Sequence, residues 1–248
     1  GIFIWMEKTI LIGAIMPRNS ETESAEYLNE LKFLTHTAGG SVINVFIQNL
    51  HSVNSKTFLG KGKIYEIAAY VKEQKIDTAI FDDELTPSQQ KNLENILNCK
   101  IVDRTNLILS IFAQRATTAI AKIQVELAQL QYFLPRLTNL WTHLSKQKGG
   151  IGMRGPGEKE IETDRRIIRQ QISILKKKLE KIDKQMTTQR KGRDRLIRVS
   201  LVGYTNAGKS TLFKALTGAE VYIKDQLFAT LDTKIRKLKI DSSHTVLL

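Results

Sequence analysis

Apolar and polar positions follow two rhythms along the chain, and the change between them divides it. Between Thr9 and Asp103, short β-branched runs alternate with amphipathic stretches. They are Thr9 to Ile15, Glu23 to Thr37, Ser41 to Gln48, Lys63 to Gln74, Thr78 to Asp82, Pro87 to Leu97 and Lys100 to Asp103. This is strand and helix in alternation. A run such as Thr78-Ala79-Ile80-Phe81 offers no polar face to water, so the expected sheet is mostly parallel and covered by helices on both sides. Thr86 before Pro87 predicts an N-cap with proline at the first helical position, where its missing N–H is no loss. Gly60-Lys61-Gly62-Lys63 reads either as backbone that could hold an anion or as a loop with two solvated lysines; its spacing matches no phosphate-binding fingerprint.

From Ala116 the step changes. Ala116, Ile120, Ile123, Leu127, Leu130, Leu134, Leu137, Trp141 and Leu144 advance by four and three in turn, a heptad seam. Ile161, Ile168, Ile172, Leu175, Leu179, Ile182 and Met186 resume it, with Arg165 in one seam place. Two such seams suit each other. The expected form is an antiparallel helical hairpin with arms about 45 Å long at ~1.5 Å per residue, bent at Pro135. Its joint, Gly149-Gly150-Ile151-Gly152-Met153-Arg154-Gly155-Pro156-Gly157, holds more glycine than a turn requires. It reads as a floppy hinge or as a tip built for close contact with RNA backbone.

Charge sharpens this division. The chain has 248 residues and a formal net charge of +13, but residues 1–120 carry 12 basic and 13 acidic side chains, whereas residues 121–198 carry 19 and 8. A basic middle beside a neutral first part implies a polyanionic partner for the middle, against the plainer reading of a solvated lysine-rich face. The single cysteine, Cys99, cannot form an internal disulfide, which fits a reducing cytoplasmic location. The longest apolar run is far below the ~18 residues of a membrane helix, so no membrane span is expected. The opening Gly-Ile-Phe-Ile-Trp-Met reads either as a remnant ahead of Met6 or as the start of an edge strand.

One motif carries specific chemistry. Ile197 to Val202 has a strand pattern, Leu212 to Leu216 starts a helix, and between them lies Gly203-Tyr204-Thr205-Asn206-Ala207-Gly208-Lys209-Ser210-Thr211. This is GxxxxGK[ST] in the setting its mechanism needs. Gly203 and Gly208 let the backbone wrap a β-phosphate, with the helix N-terminus behind it. Lys209 would reach the β- and γ-phosphates, and Ser210 would offer its hydroxyl to Mg²⁺. Thr211 reads as a packing residue at the helix start. Phe228-Ala229-Thr230-Leu231-Asp232-Thr233 lies where a switch loop would supply a threonine to the same metal, and spacing alone does not choose between Thr230 and Thr233. Only about fifty residues follow Ile197, without an Asn-Lys-x-Asp to read guanine. The expectation is a P-loop domain cut short, with hydrolytic residues beyond Leu248, weak or absent nucleotide binding and negligible turnover.

These motifs together resemble the HflX family, in the Obg-HflX group of P-loop GTPases. The resemblance rests on Thr57-Phe58-Leu59-Gly60-Lys61-Gly62-Lys63, Tyr132-Phe133-Leu134-Pro135-Arg136-Leu137, the glycine-rich GGIGMRGPGE, Asp164-Arg165-Arg166, GYTNAGKS and FATLDT, in the family's order. It departs at Lys159-Glu160-Ile161-Glu162, where the family usually has Thr-Gln-Leu-Glu.

The resemblance implies a protein that binds and hydrolyses GTP with Mg²⁺, associates with the large ribosomal subunit and its rRNA, and splits or rescues stalled ribosomes. It makes Ser210 and Thr230 the metal ligands. Residues 203–211, with Phe228, Ala229, Thr230, Leu231 and Asp232, become the nucleotide site. It places Gly149, Gly150, Arg154, Gly155, Gly157, Arg165, Arg166 and Arg169 against RNA, and it raises the Gly60 to Lys63 element above a bland loop without making it catalytic. ATP use through the N-terminal part is also linked to the family. The expected organisation is an α/β domain over 1–106, a basic hairpin over 107–192 with its tip at 149–157, and the start of a P-loop domain over 193–248, as a monomer. Two other readings stay open: a non-catalytic RNA-binding module with a vestigial P-loop, and an ATP-using P-loop enzyme.

Overall fold

A computed structural model describes residues 7–17, 21–137, 158–190, 197–219, 227–228, 235–240 and 245–248. Among them the order is β1 Lys8–Ile15, α1 Glu21–Thr37, β2 Ser41–Asn49, α2 Lys61–Gln74, β3 Thr78–Phe81, α3 Pro87–Leu97, β4 Lys100–Asp103, α4 Arg104–Arg115 and α5 Ala119–Phe133. A 3₁₀ turn at Leu134–Arg136 follows, then α6 Glu158–Arg190, β5 Ile197–Arg198, α7 Lys209–Thr217, β6 Lys237–Lys239 and β7 Thr245–Leu247. The chain separates into two compact units, which among the described residues comprise 7–111 with 132–137 and 158–163, and 112–131 with 164–248.

The first unit is an α/β layer structure. Its four strands are all parallel, in the order β2-β1-β3-β4. Alternation along the strands divides the core. Ile10, Ile12, Phe46, Ala79, Phe81 and Ile101 join Ile64, Ile67 and Val71 of α2 and Leu93 and Leu97 of α3 in one buried cluster. On the opposite face Gly13 admits α1, since a Cβ there would stand 2.9 Å from Leu28 Cδ2. Edge strand β2 leaves Ile43, Val45 and Ile47 exposed. The α3 cap is as the sequence implies. Thr86 accepts from the Gln89 N–H, the Gln89 side chain returns to the Thr86 N–H, and Pro87 opens the helix. Such a cap is worth about 1 kcal/mol.

The Thr57 to Lys63 element is core structure, not an open loop. Asn54 Oδ1 accepts from the Lys56 and Thr57 N–H groups, Phe58 takes a left-handed φ of 65°, and Phe58 and Leu59 are buried. The Gly60 N–H donates to Gln48 Oε1 at 3.0 Å, and Lys63 pairs with Glu66. The anion reading therefore loses one of the donors it needs.

Helix α4 interrupts the expected layout. It starts directly after β4, runs through position 106 and buries Leu107 and Ile111. Its apolar positions run into the heptad seam, which hides it in the sequence. The seam of α5 is also broader than a heptad predicts. Ala121, Val125 and Tyr132 are the buried positions, while Ile120, Ile123, Leu127 and Leu130 are only half-buried. At Pro135 the α-helix has already given way to the 3₁₀ turn, so the expected bend takes that form.

The turn delivers Arg136 into the first unit's interior. There its guanidinium lies 3.7 Å from the Tyr132 ring centre and donates to the Leu85 carbonyl at 2.7 Å and the Tyr132 carbonyl at 2.9 Å. It also stands 3.7 Å from Asp103 Oδ2. Asp103 in turn accepts from the Leu85 and Asn106 N–H groups. One buried arginine thus joins the end of β4, the approach to α3 and the end of α5.

Helix α6, which belongs to the second unit from Asp164 on, has 33 residues, about 50 Å at ~1.5 Å per residue. Its sheltered face is the seam read from the sequence: Leu175 is buried, and Arg165, Ile168, Ile172, Leu179, Ile182 and Met186 are half-buried. Residues 138–157, which join α5 to α6 and include Trp141, Leu144 and the glycine-rich tip, lie outside the described residues. The small sheet has the order β5-β7-β6, with β7 parallel to β5 and antiparallel to β6. Strand β5 is two residues, shorter than the Ile197 to Val202 pattern, because its partner β7 is itself only three residues long.

Candidate nucleotide-binding site

The loop after β5 is shaped by two left-handed positions close together, Asn206 at φ 60° and Gly208 at φ 80°. Gly208 is the N-cap of α7, and no side chain caps that helix end. The first turn also carries no carboxylate, so the positive end of the helix can receive an anion from outside. Gly203 has room for a Cβ, 3.7 Å from the nearest Lys209 carbon, so among the two motif glycines only Gly208 is demanded by its dihedral.

The side chains close the loop on itself. Lys209 Nζ donates to the Tyr204 carbonyl at 2.5 Å, and the Ala207 N–H donates to the same carbonyl at 3.3 Å. Thr205 Oγ1 accepts from the Phe228 N–H at 2.8 Å. Phe228 has a left-handed φ of 55° and packs edge-on against Phe112, with ring centres 4.8 Å apart. Phe228 thus lies against the loop through Thr205, and neither the Thr205 nor the Phe112 contact carries a local signal in the sequence. Ser210 sits half-buried in the first turn of α7. Thr211 is exposed, so it does not pack at the helix start as expected. Ala229, Thr230, Leu231, Asp232 and Thr233 lie outside the described residues. A hydroxyl in the first turn of an uncapped helix, beside a lysine on a short tether, is a donor set that fits a Mg²⁺-bound phosphate group. No cluster of three or more His, Cys, Asp or Glu that could hold a metal occurs among the described residues.

Comparison with known proteins agrees with this geometry along nearly the whole chain. Residues 25–113 match the family model described as GTP-binding GTPase N-terminal, residues 115–193 that of the GTP-binding GTPase middle region, and residues 198–248 that of the 50S ribosome-binding GTPase. The GTPase HflX of Flavobacterium psychrophilum is 60% identical over 234 residues, covering 94% of this chain and 57% of that protein. The GTPase HflX of Escherichia coli K12 is 46% identical over 244 residues, covering 97% of this chain and 57% of that protein.

The chain belongs to the HflX family. It spans little more than half the length of these relatives. Among solved structures, a GTP-binding protein from Sulfolobus solfataricus in complex with GDP shares 24% identity and a TM-score of 0.50, covering 98% of this chain and 59% of that one. A second GDP complex, titled SsGBP, has a TM-score of 0.54 at 24% identity and covers 98% of this chain and 61% of that one. Both support the fold.

In this HflX-family chain the second group of predicted residues belongs to α6. Arg166 and Arg169 are exposed and Arg165 is half-buried on the seam. Lys176, Lys177 and Lys178 extend the exposed basic surface one to two turns on. Gly149, Gly150, Arg154, Gly155 and Gly157 lie outside the described residues. No helix among the described residues is long and apolar enough to cross a membrane.

Proposed function

We propose that this chain is part of a cytoplasmic, monomeric GTPase that binds GTP with Mg²⁺ at residues 203–211 and associates with the large ribosomal subunit through rRNA. The observation that carries the reading is the uncapped N-terminus of α7 behind a left-handed Gly208, with Lys209 held over the loop. Phosphate binding exchanges the Tyr204 carbonyl for a phosphate oxygen as the partner of Lys209, and the α7 N–H groups receive the negative charge. Mg²⁺, when bound, neutralises charge on the β- and γ-phosphates; Ser210 holds it from the protein side, and Thr230 is the second ligand in this proposal.

The family description of a 50S ribosome-binding GTPase supports the ribosomal partner. So does the concentration of positive charge in residues 121–198. Arg165, Arg166 and Arg169, with the glycine-rich 149–157 segment and Arg154, meet the RNA backbone, the segment reaching toward the peptidyl-transferase region. Nucleotide state then governs splitting or rescue of stalled ribosomes.

The test is GTP hydrolysis by a chain carried to the full length of the relatives, with and without large subunits. Lys209→Ala is expected to abolish the stimulated rate, and an unchanged rate refutes the assignment. Subunit binding is expected to weaken steeply with salt, and less steeply once Arg165, Arg166 and Arg169 are neutralised.

A further inference from the structure

Phe228 puts a bulky side chain where the backbone would ordinarily call for glycine. Its φ of 55° is left-handed, and so costly a setting for a ring-bearing residue persists only where the surroundings over-determine it. Two contacts do so here. On the backbone side the Phe228 N–H donates to Thr205 Oγ1 at 2.8 Å, across 23 residues of sequence. On the side-chain side the Phe228 ring meets the Phe112 ring edge-on, with centres 4.8 Å apart and planes at 90°. The preceding Leu227 is buried and pins the chain at this point.

Both ends of this connection lead further. Thr205 stands between the Tyr204 carbonyl, which accepts from Lys209 and from the Ala207 N–H, and the left-handed Asn206. A bond to its hydroxyl therefore fixes the nucleotide loop where its curvature begins. Phe112, in the last turn of α4, packs against Ala116, Ala121 and Val125, the buried cluster that joins α4 to α5 within the second unit. The ring pair ties the loop to that cluster.

Such a tie matters for an anion cradle. Successive N–H groups converge on a phosphate only when the backbone is already curved, and every residue left loose must be ordered at the moment of binding. We propose that Phe112 is a positioning residue for the nucleotide loop: by holding the Phe228 ring it keeps the Phe228 N–H on Thr205 and the loop in its preformed curve. The proposal rests on the reading of residues 203–211 as the nucleotide site, and it adds a link from α4 to the affinity of that site. Nothing within GxxxxGK[ST] supplies this link, since Phe112 lies some ninety residues before the motif.

Two measurements test it. In the nucleotide-free 248-residue chain, hydrogen exchange at the Phe228 amide should quicken about three- to tenfold in Phe112→Ala, the worth of an edge-on ring pair. In protein of the relatives' full length, calorimetric GDP affinity with Mg²⁺ should fall by a similar factor in Phe112→Ala. Phe228→Gly, which accepts the φ but loses the ring, should match it, and the double variant should be no weaker than the weaker single. Phe112→Tyr keeps the ring and should restore both readouts. Val125→Ala loosens the same cluster but leaves the ring pair, so it should lower stability without moving either readout. Circular dichroism checks folding, and Phe112→Leu replaces Phe112→Ala should the latter unfold. Unchanged exchange in a folded Phe112→Ala chain overturns the proposal, as does faster exchange with unchanged GDP affinity, or an equal loss in Val125→Ala. A full-length wild type that binds no GDP, or binds it equally well after Lys209→Ala, refutes the nucleotide site itself, while the exchange result still decides whether Phe112 holds the loop.

Discussion

Replacing Arg136 by methionine keeps much of its aliphatic bulk and removes its charge, which isolates what the guanidinium contributes to the first unit. Arg136 is 6% exposed and its partner Asp103 2%. At their 3.7 Å separation the direct attraction is about 4 kcal/mol at an effective dielectric of ~20, opposed by the desolvation of both charges. Removing one member leaves the other charged and buried, a loss of about 3–5 kcal/mol in comparable sites. The Leu85 carbonyl also loses its donor, but the remaining Asp103 contacts from Leu85 and Asn106 soften the loss. The expected destabilisation is therefore about 3 kcal/mol, read as a shift in urea unfolding followed by circular dichroism. Asp103→Asn removes the stranded charge but keeps only one acceptor oxygen, so it has its own cost in the N–H of Leu85 or of Asn106. The double variant should be more stable than the sum of the two single losses predicts by about 1 kcal/mol or more. A loss below about 1 kcal/mol for Arg136→Met, or simple additivity, refutes the coupling.

Other consequences are equally direct. Burial raises the Cys99 pKa from 9.0 to about 12, so the folded chain holds its thiol proton through that interval while the unfolded chain releases it. Cys99 therefore makes stability fall as pH rises from 9 toward 12, and Cys99→Ala should flatten that slope; at pH 8, thiol reagents should label only urea-unfolded chain. Thr86→Ala should cost about 1 kcal/mol of stability by removing the α3 capping box. Gly208→Ala forces a side chain into φ 80°, at about 1 kcal/mol, and should weaken GTP binding by the full-length protein beyond that strain; unchanged affinity in nucleotide titrations would contradict the cradle. Asp83→Asn should raise the melting temperature at neutral pH, because the native carboxyl's raised pKa disfavours its charged form.

The local chemistry of the first unit was largely legible. Thr86 and Pro87 announce α3, and runs apolar on both faces announce a parallel sheet, because each signal is complete within a few residues. The GxxxxGK[ST] spacing likewise marked the turn at Gly208 and the start of α7. What escaped depends on distant partners. Phe58 takes a left-handed φ without being glycine because Asn54 and the buried surroundings hold it there. Nothing near Arg136 in the sequence announces its partner, since the 3₁₀ turn carries it to Leu85, 51 residues earlier. The crevice at the ends of β1 and β3 joins residues from Gly13 to Arg104, and no window of sequence contains it.

The contact between Arg136 and Leu85 also has a consequence in time. The sheet is complete at Asp103, yet its buried cation is supplied by a residue synthesised after α4 and α5. During translation the nascent sheet must shelter Asp103 without that cation, and domains begin to fold as they emerge. A chain stopped between Asp103 and Tyr132 would carry every strand of the sheet and still be a poor representative of it. Arrest at successive positions from Tyr132 onward should show protease resistance rising sharply only once enough chain follows Arg136 for it to clear the exit tunnel.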